Sequence, residues 1–459
     1  MRKLLQLISV CLLLGLPLTA QTSYILTSSP SNVQNVVNSH GLTVVKELFD
    51  GSNCVMLVTS PSADVAGTEI EVESDLLVLS FEPEQRAALP ELNGLTQPTL
   101  TQSSTSILDS LPGRTLVSFF GSTVPSNYTS QTATSIIRLG DARSATRLTG
   151  SGVVAIIDTG ADPGHPALTS VLVPGYDFTR DIPGFSELAD LDPAVAAKLQ
   201  QSSTSILDAQ NTLQLNSSAV AILNQSSTSI LDQSSTSILD STLAEFGHGT
   251  MTAGIVHLIA PTAKIMPLKA FRADGSSNLS DIIRAIYYAA DHGANVVSMS
   301  FSMLQSSPGL QAAIQYALSK NVIMIASSGN DGSKTLVYPA SYNGVQGIGS
   351  STNTDQRSTF SNYGSGVVTF AAPGEGITTT YPGGNYAAGW GTSFSTPMVA
   401  GAAALVLQAR PASKPGDITN ALSKTKQISG MGYGRIDLYS SLMNVVDGSP
   451  SSGNGNSSR

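Results

Sequence analysis

Three residues lie in short polar motifs whose combined chemistry is that of acyl transfer. Asp158 follows the apolar run 153–157, His248 is the one histidine among five with glycine on both sides, and Ser393 lies in the stretch Gly-Thr-Ser-Phe-Ser. A serine hydroxyl is a poor nucleophile unless an adjacent base takes its proton. A carboxylate can hold such a base in place and stabilise its charged form. The three residue types therefore indicate a nucleophile, a general base and an orienting acid.

Each motif also has a plainer structural interpretation when it is taken alone. Asp158 can cap the turn after its strand, and Ser395, two residues after Ser393, is a rival nucleophile. Asn330, which follows an apolar run and Ser-Ser-Gly, can be a turn residue or can donate its amide to a developing oxyanion. We expect no metal site, because no histidine or cysteine cluster has ligand spacing.

The segments that position these residues alternate between strand-like and helix-like patterns across residues 126–445. The strand-like runs are continuously apolar, as in strands covered on both faces, and lie at 153–157, 265–270, 294–299, 322–326 and 367–371. The helix-like segments lie at 280–291, 309–320 and 396–408. This alternation predicts an α/β domain with a doubly wound parallel sheet, whose active site lies at the carboxyl ends of the strands. We expect the helix after Ser393 to begin near Pro397 and to direct its positive end at the serine.

The N-terminal part of the chain has a different organisation. Residues 1–20 combine a basic start with an apolar run and end in Thr-Ala, which predicts a secretory signal peptide and export to the periplasm or the extracellular space. Residues 21–90 predict a small α+β domain, and residues 91–125, rich in Ser, Thr and Pro, are typical of a linker. The strands predicted in the small domain lie at 24–27, 42–48, 54–59 and 76–81, and its helix lies at 31–39.

An octapeptide repeat interrupts the α/β pattern. The sequence Gln-Ser-Ser-Thr-Ser-Ile-Leu-Asp begins at Gln102, Gln201, Gln225 and Gln233. Its last three copies lie within residues 183–243, which we interpret as an insertion on surface loops. Residues 446–459 are rich in Gly, Ser and Asn and predict a disordered tail.

Composition narrows the class of partner. The net charge is −9 and only 12% of residues are charged, so no basic surface is available for nucleic acid. No segment after residue 20 is long and apolar enough to predict a membrane span. Cys54 is the one cysteine left after removal of the signal peptide, so no intrachain disulfide is expected. Its apolar surroundings predict a core position.

The order Asp, His, Asn, Ser in these contexts resembles the subtilisin-like serine proteases, the subtilase or peptidase S8 family. The resemblance extends over roughly residues 130–440 and rests on Ile157-Asp158-Thr159-Gly160, Gly247-His248-Gly249-Thr250, Ser328-Gly329-Asn330 and Gly391-Thr392-Ser393. It implies that Ser393 attacks the scissile carbonyl, that His248 transfers the proton and that Asp158 orients His248. The implied oxyanion hole consists of the Ser393 N–H and the Asn330 amide.

The resemblance also implies how substrate and inhibitor bind. Two segments, residues 298–301 and 274–277, resemble the strands that pair with the backbone of a polypeptide substrate. The Ser-Ser-Gly stretch before Asn330 is assigned to substrate binding as well. The implied substrate-binding residues are Ser298, Ser300, Phe301, Gly275, Ser276, Ser328 and Gly329. Residues 21–90 resemble the inhibitory propeptide of the family, which implies a zymogen that carries its own intramolecular inhibitor. We expect a monomer that needs no cofactor and binds neither nucleic acid nor membrane.

Departures from the family pattern qualify these implications. Ser302 and Met303 stand where glycines are usual, which predicts a narrower specificity pocket. The stretch from His248 to Pro261 lacks the loop that forms the strong calcium site of the family, so only weakly bound calcium is left open. A binding protein on an inactive protease scaffold is the alternative function. A lipase or esterase is disfavoured, because Ser395 replaces the second glycine of the Gly-x-Ser-x-Gly motif.

Overall fold

The computed structural model describes residues 22–29, 31–50, 54–60, 71–75, 77–79, 115–193, 220–222 and 245–447. The chain divides into two compact units, Met1–Leu76 and Leu77–Arg459. The predicted signal peptide, all four copies of the octapeptide, most of the predicted linker and the tail beyond residue 447 lie outside the described residues.

In the residues described, the first unit is a four-stranded antiparallel sheet with one helix. In spatial order its strands are Thr43–Asp50, Cys54–Ser60, Thr22–Ser28 and Glu71–Ser74, and its helix is Val33–Ser39. Val33, Val36 and Val37 form the buried face of the helix, and Cys54 lies in the same core, as predicted. The first compact unit ends at Leu76, and the next described strand, Leu77–Leu79, pairs with the strand Ser276–Asn278 of the second unit.

The second unit is built on a ten-stranded sheet that is parallel except for the outermost strand at each edge. In spatial order the strands are Ile182–Pro183, Tyr176–Asp177, Lys264–Lys269, Val153–Asp158, Val296–Met299, Ile323–Ser327, Val345–Ser351, Phe370–Pro373, Arg435–Ile436 and Thr425–Lys426. The central strands are buried along nearly their whole length, which explains their uninterrupted apolar sequences. This arrangement confirms the predicted α/β fold.

Two groups of helices cover the sheet. His248–Ile259 packs on Thr392–Ala409, Leu279–Asp291 packs on Pro308–Ser319, and helices of both groups contact the strand Val153–Asp158. The other helices in the described part of the unit are Ser126–Thr129, Thr132–Ile136, Leu139–Thr146, Pro415–Leu422 and Leu438–Val446, with a 3₁₀ turn at Glu187–Asp190. The smaller sheets pair Leu116–Phe119 with Ser122–Pro125, and Val220–Ile222 with Asn385–Gly389 and Ile377–Tyr381.

Two segments correct the boundaries predicted from sequence. The helix that carries Ser393 begins at Thr392 and not near Pro397, so the serine lies in its first turn and the proline lies inside the helix. Residues 116–125 were expected to be linker but form a hairpin whose turn, Phe120 and Gly121, has positive φ at both positions. The many Ser and Thr residues there hide the short apolar strand from a composition-based prediction.

The strand Val345–Ser351 has no counterpart among the predicted strands. Its sequence contains Gln, Gly and Ser, so it lacks the continuous apolar run of its neighbours, although it is buried throughout. Gly347 is required there, because a Cβ at this position would lie 1.8 Å from the Val367 carbonyl oxygen. Close approach of two backbones, a tertiary effect, therefore selects glycine where a strand pattern would need a side chain.

Candidate active site

Asp158 and His248 form the central hydrogen bond of the site. Asp158 is the last residue of the strand Val153–Asp158, and His248 is the first residue of the helix His248–Ile259. His248 Nδ1 lies 2.8 Å from Asp158 Oδ1, and the two side chains are only 7% and 4% exposed. Asp158 Oδ1 also accepts the Thr159 N–H at 2.7 Å, and Oδ2 accepts the Thr252 hydroxyl at 3.3 Å. The carboxylate is thereby fixed in an orientation that holds the imidazole.

The two glycines beside His248 are required by close packing. Gly247 has φ +93°, and a Cβ there would lie 2.4 Å from the ring of Tyr381. A Cβ on Gly249 would lie 2.0 Å from the carbonyl oxygen of Gly160, two residues after Asp158. Glycine therefore lets the first turn of the His248 helix approach the loop that carries the acid.

The charges around His248 favour its protonated form. Burial lowers the pKa of His248, but the charge of Asp158 and the hydrogen bond to it, together with the charges of Glu245 and Glu187, raise this pKa to about 9. The imidazolium that forms when the base accepts a proton is therefore stabilised. The same charges leave less of the neutral base at pH 7.

Ser393 is the second residue of the helix Thr392–Ala409 and is 3% exposed. Its Oγ donates to the carbonyl oxygen of Ser300 at 3.2 Å. The ring of the next residue, Phe394, packs edge-on against the His248 imidazole with 5.7 Å between centroids. The helices that carry His248 and Ser393 thus meet at their first turns. The positive end of the serine helix favours negative charge at this place.

The rival nucleophile Ser395 is committed elsewhere. Its side chain is fully buried, and its Oγ donates to the carbonyl oxygens of Ala372 at 2.9 Å and Pro373 at 3.2 Å. Because these bonds occupy the Ser395 hydroxyl, Ser393 is the stronger candidate for the nucleophile.

Asn330 lies just after the strand Ile323–Ser327 and contacts the N-terminus of the helix that carries Ser393. Its Oδ1 accepts both the backbone N–H and the hydroxyl of Thr392 at 2.9 Å. These two bonds orient the amide beside Ser393 and leave its NH₂ group for a separate acceptor. Ser328 is buried and Gly329, just before Asn330, has φ +89°; a Cβ at Gly329 would lie 2.6 Å from Asn362 Nδ2. The two residues shape the loop that presents the amide.

The first predicted substrate strand contains one residue buried inside the sheet and two residues that line a cleft. Ser298 is fully buried in the strand Val296–Met299, which is paired on both sides, so it supports the sheet and lines no open surface. Ser300 and Phe301, just beyond that strand, line a small cleft beside His248 together with Phe271. The rings of Phe271 and Phe301 lie 5.0 Å apart and form its apolar wall.

The second predicted substrate strand carries a backbone partner. Gly275, at φ +83°, leads into the strand Ser276–Asn278. This strand pairs antiparallel with Leu77–Leu79, with Ser276 opposite Leu79 and Asn278 opposite Leu77. The strand edge that was predicted to bind an extended peptide is therefore covered by a segment of this chain.

Sequence reasoning missed several residues that support the site. Thr252, which donates to Asp158, lies four residues after His248. Thr392, which donates to Asn330, directly precedes Ser393. Both could have been found from their position beside the motif residues. Glu187 has no such position: it is 29 residues beyond Asp158 in the sequence, yet it is buried and the Thr159 hydroxyl donates to it.

The described residues include neither a metal-binding cluster nor a membrane-spanning helix. Among them, no group of three or more His, Cys, Asp or Glu side chains has an arrangement that could hold a metal ion. None of the helices in that part of the chain has the length and apolar character needed to cross a bilayer.

Comparison with known proteins relates the chain to the subtilases. Residues 150–453 match the subtilase family, Peptidase_S8. A thermophilic serine proteinase of Bacillus sp. strain AK1 is 33% identical over 294 residues, which are 63% of this chain and 61% of the relative. Thermitase of Thermoactinomyces vulgaris is 32% identical over 310 residues, or 64% of this chain and 89% of the relative.

A solved structure is similar over a comparable share of the chain. The protease of Pseudoalteromonas arctica PAMC 21717 matches with a TM-score of 0.50 and 26% identity, over 67% of this chain and 94% of that one. The alignments cover 61% and 52% of the length of two curated relatives, the AK1 proteinase and the M-protease of Shouchella clausii. The names of these relatives are those of proteases, in agreement with the enzyme class predicted from the motifs.

Proposed function

This chain belongs to the subtilase family, and from that premise we propose that it is a secreted serine endopeptidase made as a zymogen. The observation that carries the proposal is the meeting of two helix N-termini, one bearing His248 bound to Asp158 and the other bearing Ser393. Acyl transfer needs a nucleophile, a base and an oriented acid in one place.

The proposed reaction proceeds through an acyl-enzyme. Ser393 Oγ attacks the peptide carbonyl carbon while His248 Nε2 accepts the hydroxyl proton. The C–N bond then breaks, and the imidazolium returns the proton to the leaving amine. A water molecule, activated by His248, hydrolyses the ester and releases Ser393.

Asn330 and the Ser393 N–H are proposed to stabilise the oxyanion. The Asn330 amide is oriented by its two bonds from Thr392, so it is arranged before the substrate binds. Preorganised donors of this kind act most strongly in a site from which water is excluded. The chemistry uses groups of this chain and water and needs no cofactor, and weakly bound calcium is compatible with it.

The pairing of Leu77–Leu79 supports inhibition by the N-terminal part of the chain. These residues directly follow the first compact unit, and they pair antiparallel with Ser276–Asn278. An extended polypeptide substrate would add to the same strand edge through its main chain. We therefore propose that the segment blocks substrate until the chain is cut. Export depends on the predicted signal peptide in residues 1–20.

Labelling with a fluorophosphonate probe tests the proposal. The wild-type secreted protein and Ser393→Ala would be labelled in parallel, and the intact mass of each would be measured. We expect label on the wild type alone, on a fragment that lacks the acidic N-terminal unit. The Ser393→Ala chain should keep that unit, because it cannot cut itself.

Two other outcomes would contradict parts of the proposal. Label on Ser393→Ala would remove this serine from the role of nucleophile. A folded wild type that takes no label even after limited trypsin treatment would indicate a binding protein on an inactive scaffold.

A further inference from the structure

Glu187 is a buried carboxylate beside the triad that no step of the proposed reaction uses. It lies in the 3₁₀ turn Glu187–Asp190, near the start of the segment 183–243 predicted to be an insertion on surface loops. The side chain is 1% exposed. A carboxylate at such a depth is costly unless donors surround it, so its partners indicate its role.

Four donors converge on this carboxylate. Oε1 accepts the backbone N–H of Gly249 at 2.9 Å and that of Thr250 at 3.3 Å, and the Thr159 hydroxyl also donates to it. Oε2 accepts the Thr250 hydroxyl at 2.6 Å. The donors come from the residue after Asp158 and from the two residues after His248. One carboxylate therefore joins the two segments that carry the acid and the base.

Glu187 also supplies a cap that the helix lacks locally. The N-cap position of the helix His248–Ile259 is Gly247, which has no side chain to accept the free N–H groups of the first turn. Such groups need acceptors, and a negative charge is favourable there. Glu187 provides the acceptor from a segment 61 residues earlier in the sequence.

Backbone packing fixes the position of the carboxylate. The Ala161 N–H donates to the Phe185 carbonyl at 2.9 Å, and the Glu187 N–H donates to the Ala161 carbonyl at 3.2 Å. A Cβ on Gly249 would lie 3.0 Å from Glu187 Oε1, so the glycine beside His248 also makes room for this contact.

We propose that Glu187 is a positioning residue for peptide hydrolysis, which keeps the Asp158 loop and the first turn of the His248 helix in the register that aligns imidazole and carboxylate. The inference rests on the proposed function for its kinetic consequence, but the alignment itself is independent of turnover. Glu187 lies before the first octapeptide copy of the predicted insertion 183–243, so its burial concerns only the start of that segment.

Charge gives Glu187 a second effect on the base. The titratable groups that face it are Asp158, His248, Lys269 and Tyr381. Burial raises the pKa of Glu187 to about 7, against the bonds from Thr159 and Thr250, which lower it. Its negative charge is one of those that raise the pKa of His248. Geometry and charge can therefore be separated by substitution.

Three variants make that separation. Glu187→Gln keeps the length of the side chain and removes the charge, Glu187→Asp keeps the charge and shortens the side chain, and Glu187→Ala removes both. Asp417→Asn is the matched control, because Asp417 is an exposed carboxylate that caps another helix by accepting the Lys414 N–H at 2.9 Å. The kinetic readouts are kcat and KM on a peptide substrate across pH, per active site titrated with the fluorophosphonate.

We expect Glu187→Asp and Glu187→Ala to lower kcat by up to about 100-fold with KM nearly unchanged, as for a displaced catalytic group. We expect Glu187→Gln to keep most of kcat and to move the acid limb of kcat/KM to lower pH. Asp417→Asn should change neither. If Glu187→Ala does not fold, Glu187→Asp and Glu187→Gln carry the test.

A readout without turnover separates this proposal from the proposed function. NMR of ¹⁵N-histidine in the Ser393→Ala background reports the His248 pKa and its Nδ1–H bond. A lower His248 pKa in Glu187→Gln and a displaced Nδ1–H signal in Glu187→Asp would support positioning even if the wild type hydrolysed no peptide. Unchanged kinetics and unchanged NMR in all three variants would overturn it while the protease function stood.

Discussion

Ser300 and Ser393 exchange two hydrogen bonds. Ser393 Oγ donates to the Ser300 carbonyl at 3.2 Å, and Ser300 Oγ donates to the Ser393 carbonyl at 2.9 Å. The second bond is available because Pro397, four residues after Ser393, has no N–H to donate to that carbonyl inside the helix. The proline thus leaves a backbone acceptor free, and the bond to this acceptor links Ser393 to the end of the central strand.

Loss of the Ser300 hydroxyl should destabilise the protein. Ser300→Ala leaves the buried Ser393 carbonyl without this donor, and we expect the free energy of unfolding to fall by about 1–3 kcal/mol. Urea denaturation of the Ser393→Ala background, which cannot cut itself, measures the change.

A double variant identifies the cause of that loss. Pro397→Ala restores an N–H at the position that can bond to the Ser393 carbonyl, so Ser300→Ala should cost less in its presence. Equal costs with and without the proline would mean that the carbonyl is not the group affected.

Removal of the Asn330 amide should impair turnover more than binding. Asn330→Ala takes away the donor that we propose acts on the transition state, so kcat should fall while KM changes little. Loss of the oxyanion-hole asparagine of subtilisin is known to lower kcat by about 10²–10³, and we expect the same order for this chain. Steady-state kinetics on a peptide substrate measure the change in kcat and KM. Asn343→Ala, a substitution of an exposed asparagine, is the control. If kcat is unchanged and kcat/KM falls because KM rises, Asn330 acts in substrate binding instead.

Activity should rise with pH well above the usual range of histidine. The proposed reaction needs neutral His248. The pKa of His248 is raised to about 9 because the charge of Asp158 and the hydrogen bond to it, with the charges of Glu245 and Glu187, outweigh burial. The acid limb of kcat/KM should therefore have its midpoint above the ordinary histidine pKa of about 6.5 and approach 9. Measurement from about pH 6 to 11 at constant ionic strength tests this. A limb centred at or below the ordinary value would show that the charges around His248 are screened.

His257 should make the protein sensitive to acid. The side chain is 1% exposed, and within the described part of the chain neither ring nitrogen has a hydrogen-bond partner. Burial, with smaller effects of Arg143 and His165, lowers the pKa of His257 from 6.5 to about 4. The unfolded chain binds the proton more readily, so this contribution to stability is present above pH 6.5 and is lost as pH falls towards 4.

Replacement of His257 by a residue that does not titrate tests the contribution. The shift from 6.5 to about 4 corresponds to a loss of about 3 kcal/mol across that range. In His257→Leu, the free energy of unfolding should lose this part of its pH dependence over the same range. His292→Leu, a substitution of an exposed histidine, should not remove it. If the free energy of unfolding depends on pH in the same way in wild type and His257→Leu, His257 is not the source of the acid sensitivity.

The catalytic candidates could be predicted because their signals are local. Asp158, His248, Asn330 and Ser393 each lie at a sharp change between an apolar run and small polar residues. Such a change marks the end of a buried strand or the start of a buried helix, which depends on residues next to it in the chain. The strands at 153–157 and 322–326 were predictable for the same reason, since both faces of each are covered.

Tertiary structure decided what depends on segments that are distant in sequence. Pro397 favoured a helix start near itself, but packing of Thr392–Ala409 against the His248 helix extends the helix to Thr392. The strand Val345–Ser351 needs glycine because another backbone approaches it, which no periodicity reveals. Glu187 has an ordinary acidic context in the sequence, and only the path of the chain brings it to the first turn of the catalytic helix. Local patterns determine which segments are buried, whereas the partner of a buried charge is determined by which distant segments meet.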